Sequence, residues 1–337
     1  MLTGSLDLPE LSEFVLSDEL VPGGQILRIH RPAAINGSSA VDENPSPSRR
    51  PNANAEVGAP GLDIVLHKDS GLLANTAANE AFERAASFWE SVFHDPITIN
   101  LDAKLGTTDF DGHSFPSNVL GSTSSEYVGL SYSDVRARLI ADASPDESIV
   151  QQLPNASGQL TFDRAPGITL TNVTDAGFPS DQTSAPNSLI EVTRANALAL
   201  GFSGLTGSAS SITSGVTRDA QLAFNSNFAF DYDSSNGVSG GHDFEAIAIH
   251  EIGHALGFVS SVDFVDYLVN TNQTAAADVR PNPMDLFRLA PNQGASFTTA
   301  PRLLNTGANV PVQVFHDGQF DVSPFSGVIS GLGTGDI

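Results

Sequence analysis

Residues 243–258 read DFEAIAIHEIGHALGF, and this segment constrains the fold more than any other part of the chain. Phe244, Ile247, Ala248 and Ala255 fall at helical spacing, which predicts a helix with one apolar side pressed into a core. The same helix carries His250, Glu251 and His254. Burying two imidazoles and a carboxylate is costly unless something pairs with them. Any fold that accepts this helix must bury it and still give those three side chains a partner.

Helix geometry says what the partner is. Positions 250 and 254 are about one turn apart, so both imidazoles project from one face. Two nitrogens at that spacing can share a tetrahedral Zn²⁺ at about 2.0–2.1 Å. Glu251 is rotated about 100° from His250, beside the open position of such an ion, where a general base takes a proton from water. Asp243 is placed to cap the helix, and Glu245 in the first turn suits its dipole. Gly257 falls where the chain must turn sharply in a left-handed conformation. Upstream, Leu222, Phe224, Phe228, Phe230 and Tyr232 predict a strand over 222–232, read as the edge strand of a cleft that holds an extended peptide.

The rest of the chain predicts an α+β protein without regular strand–helix alternation. Residues 34–60 are rich in Pro, Ser, Asn and Gly, a linker composition that contains the dibasic pair Arg49-Arg50. The globular part is expected to begin near Gly61, with a strand through Leu62, Ile64 and Leu66. A helix with Phe82, Ala85, Ala86, Trp89 and Phe93 on one side follows, stopped by Asp95-Pro96, and then a strand over 97–101. Residues 132–143 predict a second helix capped by Ser133, and 188–200 a third closed by Gly201.

Composition then removes alternatives. The 337 residues hold 39 acidic and 15 basic side chains, a formal net charge of −24. That field disfavours nucleic acid and anionic lipid. With no cysteine, disulfides, thiolate nucleophiles and Cys-type metal sites are excluded. No apolar run is long enough for membrane insertion. Asp231, Asp233 and Asn236 make one oxygen-rich turn, and Asp109 with Asp111 another. Neither matches the calcium loop, so both are read as solvated turns, with Ca²⁺ as a weaker second ion.

HEIGHALGF resembles the leishmanolysin form of the metzincin signature. Residues 81–91 (AFERAASFWES) and 283–289 (PMDLFRL) are similar to stretches that accompany the motif in bacterial exported proteins described as metalloproteases of that kind. The likeness is strong over the motif helix and weak over the remainder from Gly61 onward. It implies a metzincin-like zincin, with a mixed sheet, an active-site helix, and a cleft between N- and C-terminal sub-domains. It further implies a secreted, monomeric zinc endopeptidase acting on peptide or protein substrates. A cytoplasmic location is the alternative, since residues 1–20 show no basic n-region or apolar h-region.

Two departures from that pattern bear on the site. Three residues past Gly257, where the commonest metzincins place a third ligand, stands Ser260. Asp263 is one substitute. His316 is another, since leishmanolysin-like proteins draw the third histidine from far downstream. The methionine that lies under the metal in the family has one candidate here, Met284, which precedes His316 and is read as a packed residue. The glycine-rich end, residues 327–337, suggests a C-terminal sub-domain cut short, so a missing ligand is the third alternative. The expected division is therefore 1–60 (segment and linker), 61–258 (catalytic sub-domain) and 259–337 (C-terminal sub-domain). Two other functions compete: a catalytically impaired metal-binding relative, and an acidic, calcium-stabilised extracellular interaction protein.

Overall fold

Two capping carboxyl and amide groups set the first helices. Asp69 Oδ1 accepts the Leu72 N–H at 2.8 Å, and Asn75 Oδ1 accepts that of Ala78 at 3.1 Å, each satisfying an otherwise orphaned donor. In the computed structural model the described residues are 15–21, 24–30, 61–143, 148–155, 160–164, 182–184, 189–205, 210–212, 215–262, 280–289, 297–304, 313–316 and 319–321. The chain runs β1 (Val15–Val21), β2 (Gly24–His30), β3 (Asp63–Lys68), α1 (Ser70–Ala74), α2 (Thr76–Val92), β4 (Thr98–Gly106), β5 (Val119–Ser125), β6 (Tyr127–Ser131) and α3 (Tyr132–Asp142). Next come β7 (Thr161–Arg164), β8 (Gln182–Ser184), β9 (Leu189–Thr193), α4 (Arg194–Ala199), β10 (Ala220–Asn225), β11 (Phe230–Asp231), β12 (His242–Asp243) and α5 (Phe244–Leu256). A 3₁₀ turn (Pro283–Phe287) then leads to β13 (Arg288–Leu289), β14 (Arg302–Leu304), β15 (Gln313–His316) and β16 (Gln319–Asp321).

The architecture is α+β with mixed sheets. The first sheet has the order β1-β2-β5-β10-β4-β3. Its β3, β4 and β10 are parallel, while β5 runs antiparallel to β10. Helices α2 and α5 pack on it through Ala81, Phe82, Ala85, Ile247, Ala248 and Ile252, all buried. A second core gathers α3, β9, α4 and the 3₁₀ turn around Tyr132, Val135, Ile190, Leu286 and Leu289. The sheet begins before Gly61, where the globular part was expected to start: β2 pairs with β5. The linker reading falls on residues outside those described.

Three local expectations change. The strand expected over 222–232 is β10 and β11, broken by a turn at 226–229. Its β10 part is interior, not an edge, because β10 is paired with β4 on one side and β5 on the other, whereas β11 pairs with β12 in a separate two-stranded sheet. The helix expected over 188–200 is half strand: β9 pairs with β6, and Thr193 caps the short α4. Ladder pairing of the β-branched Ile190 and Val192 outweighs the helical preference of the alanines that follow. The cap of α3 is Ser131 rather than Ser133.

Candidate metal centre

Helix α5 is held at both ends and along its back. Asp243 Oδ1 accepts the Ala246 N–H at 3.0 Å, and Glu245 pairs with Arg84 of α2 at 2.7 Å. Trp89 Nε1 of α2 donates to the Ile249 carbonyl at 2.8 Å. A Cβ on Gly253 would stand 3.1 Å from Trp89 Cζ2, so the missing side chain is what lets the indole lie against the helix. At the C-terminal end Gly257 adopts φ +115°. The Phe258 N–H reaches Gly253 O, and the Gly257 N–H reaches His254 O, both at 3.1 Å, which is the Schellman pattern of a left-handed helix stop.

That stop positions the first imidazole. Turning back, the chain brings the Phe258 carbonyl to 2.6 Å from His254 Nδ1. A carbonyl only accepts, so Nδ1 carries the proton and Nε2 keeps its lone pair. The same relation orients metal-binding histidines in proteins generally. His250 Nε2 lies 2.7 Å from that lone pair. The two rings thus converge through Nε2, with centroids 4.4 Å apart and planes at 70°. Burial lowers the His254 pKa to about 4 and, with the neighbouring ring, takes His250 well below its ordinary value. Both imidazoles are therefore neutral at pH 7, the protonation state a metal requires.

Glu251 is seated against β5. Its side chain is fully buried. Oε2 accepts the Thr123 hydroxyl at 2.6 Å, and the Glu251 carbonyl lies 2.9 Å from the same hydroxyl. Oε1 is buried with no hydrogen-bond partner. Desolvation raises this carboxyl to about 8, against a smaller opposing pull from Thr123. Thr123 escaped the sequence reading. The run GSTSS at 121–125 has loop composition and carries no periodic signal, since all five residues are small.

The remaining candidates are distributed as follows. Ser260 is buried and donates to Asp285 Oδ1 at 2.5 Å. Asp285 also accepts the N–H groups of Ser261 at 3.1 Å and Asn282 at 2.7 Å, tying the chain that leaves α5 to the 3₁₀ turn. Met284 lies in that turn, half-buried. His316 ends β15 in the second sheet. Asp263 lies outside the described residues. No set of three His, Asp or Glu placed to hold a metal occurs among the described residues. In the acidic turn, Asp231 is occupied by the N–H groups of Asp233 and Ser239.

Comparison with known protein families, curated proteins and solved structures finds no match. Among the described residues no helix is long and apolar enough to cross a membrane.

Proposed function

We propose that the chain is a zinc-dependent endopeptidase with a metzincin-like fold, in which His250 and His254 hold the ion and Glu251 is the general base. One observation carries the reading: the Nε2 atoms of two neutral imidazoles meet at 2.7 Å, beside a residue whose buried carboxylate oxygen has no partner. Without a metal, a neutral His250 donates its Nε2–H to the His254 lone pair at this distance; shifting that proton to Nδ1 would turn both Nε2 atoms into ligands for one ion. Two such nitrogens suit zinc, which takes neutral His ligands, and leave the neighbouring carboxylate for proton transfer. Bound there, zinc would supply Lewis acidity toward the scissile carbonyl.

The residues themselves do the remaining work. The Phe258 carbonyl keeps His254 in the ligating tautomer. Glu251, carried on the same helix, takes the proton of the attacking water and returns it to the departing amine. His316 and Asp263 are the candidate third ligands. Secretion is part of the same proposal.

Metal analysis combined with peptide hydrolysis tests the reading. The purified chain should take up one zinc, lose it on His250→Ala or His254→Ala, and keep it on Glu251→Gln while losing nearly all hydrolysis of a denatured protein substrate. Full activity in Glu251→Gln would overturn the mechanism. Loss of zinc in only one of His316→Ala and Asp263→Ala identifies the third ligand.

A further inference from the structure

Alternate residues of a strand share a face, and in β5 those at 121, 123 and 125 meet α5. Thr123 Oγ1 reaches the Glu251 carbonyl and Oε2 at 2.9 and 2.6 Å, and Ser125 Oγ reaches the His254 carbonyl at 3.3 Å. A Cβ on Gly121 would stand 3.0 Å from Glu251 Oε1, 3.3 Å from Cγ and 3.4 Å from Cδ. Three small residues of one strand thus follow the single turn of helix that bears the site.

We propose that Thr123 is a positioning residue for the general base: its hydroxyl holds Glu251 Oε2, and Gly121 leaves Oε1 free as the oxygen that accepts the proton. The word "base" rests on the peptidase reading above, whereas the seat of the carboxylate does not. A threonine hydroxyl has one proton to give. With that proton engaged by Oε2 and the main-chain carbonyl, none is left for Oε1. A buried carboxylate oxygen without a donor is costly, and such groups persist where chemistry uses them. In the reaction Oε1 takes a proton from the attacking water as the water oxygen bonds to the carbonyl carbon. It passes that proton to the amine nitrogen as the C–N bond breaks. A misplacement of about 1 Å at such a group can cost about 100-fold in rate.

The substitutions Thr123→Val, Thr123→Ser and Gly121→Ala separate position from fold. Valine keeps the shape and removes the hydroxyl, serine keeps the hydroxyl, and alanine crowds Oε1. In the zinc-loaded full chain, assayed well below each variant's melting temperature, Thr123→Val and Gly121→Ala should lower kcat about 10- to 100-fold with KM and zinc content near the parent's. Thr123→Ser should stay within about threefold of the parent. The second readout is the infrared carboxyl band of Glu251, assigned in glutamate-labelled protein by its loss in Glu251→Gln. It should shift in Thr123→Val and be restored in Thr123→Ser. A parental kcat and an unmoved band in Thr123→Val overturn the proposal. If the parent hydrolyses nothing, the peptidase reading falls and the base role with it, while the band still decides whether Thr123 holds the carboxylate.

Discussion

His250 Nε2 and His254 Nε2 stand 2.7 Å apart, and His254 Nδ1 is already committed to the Phe258 carbonyl. A tetrahedral zinc with bonds of about 2.0–2.1 Å needs its nitrogens about 3.3 Å apart. Zinc held between them would require the pair to open by about half an ångström, which rotation of His250 alone would supply.

Zinc uptake should release close to one proton at pH 7, and that proton comes from Glu251. The imidazoles are already neutral, whereas the carboxyl, at about 8, is mostly protonated until a cation arrives nearby. Calorimetry in buffers of different ionisation enthalpy measures the count. Glu251→Gln should bring it near zero, and an unchanged count in that variant would contradict the assignment.

The metal-free chain should lose stability in both directions from mildly acidic pH. His254 has a folded pKa of about 4, below its unfolded value, so its contribution is present above about 6.5 and disappears as pH falls toward 4. Glu251 is the opposite case. Its folded pKa of about 8 lies above the ordinary value of 4.5, so stability is greatest below the unfolded pKa and declines as pH rises through 8. Glu251→Gln removes the second slope and should raise the melting temperature at pH 8 more than at pH 5, by free energies on the order of a few kcal/mol. Thermal scans across pH check both limbs.

Gly253→Ala should destabilise the chain even though alanine favours helix by about 1 kcal/mol. The new methyl meets Trp89 at 3.1 Å, and overpacking costs about 1–3 kcal/mol. Gly257→Ala should be worse, because φ is +115° and the Cβ would lie 2.9 Å from Asn196 Cβ. Urea denaturation of both variants ranks them; equal stability to the parent in either would show that the helix can shift.

Asp285→Ala should cost about 3 kcal/mol or more, since it leaves a buried hydroxyl and two buried N–H groups without their acceptor. Asp285→Asn places an NH₂ against one of those donors and should fall between parent and alanine. Chemical denaturation gives the order, and a neutral alanine variant would mean that water replaces the carboxylate.

The site helix could be read directly from the sequence because its signals are local: apolar spacing, a capping aspartate, a terminal glycine and two histidines one turn apart. Helix α2 was legible for the same reason. What escaped was set by contacts distant in sequence. Gly121, Thr123 and Ser125 are small because α5 lies against them, so the strand that seats Glu251 has the composition of a loop. Residues 189–193 read as helix because the alanines after them do, until β6 pairs with them. Phe224 and its neighbours advertised burial, but alternation cannot tell an interior strand from an edge.

Trp89 is the only tryptophan in the chain. Its indole N–H is bonded to Ile249, next to His250, and its ring lies 5.5 Å from that of Phe258, whose carbonyl holds His254. The molecule therefore carries a single indole, selectively excitable beyond the tyrosine absorption, wired to both ends of its candidate ligand pair, so that occupancy of the site is convertible into emitted light without any label.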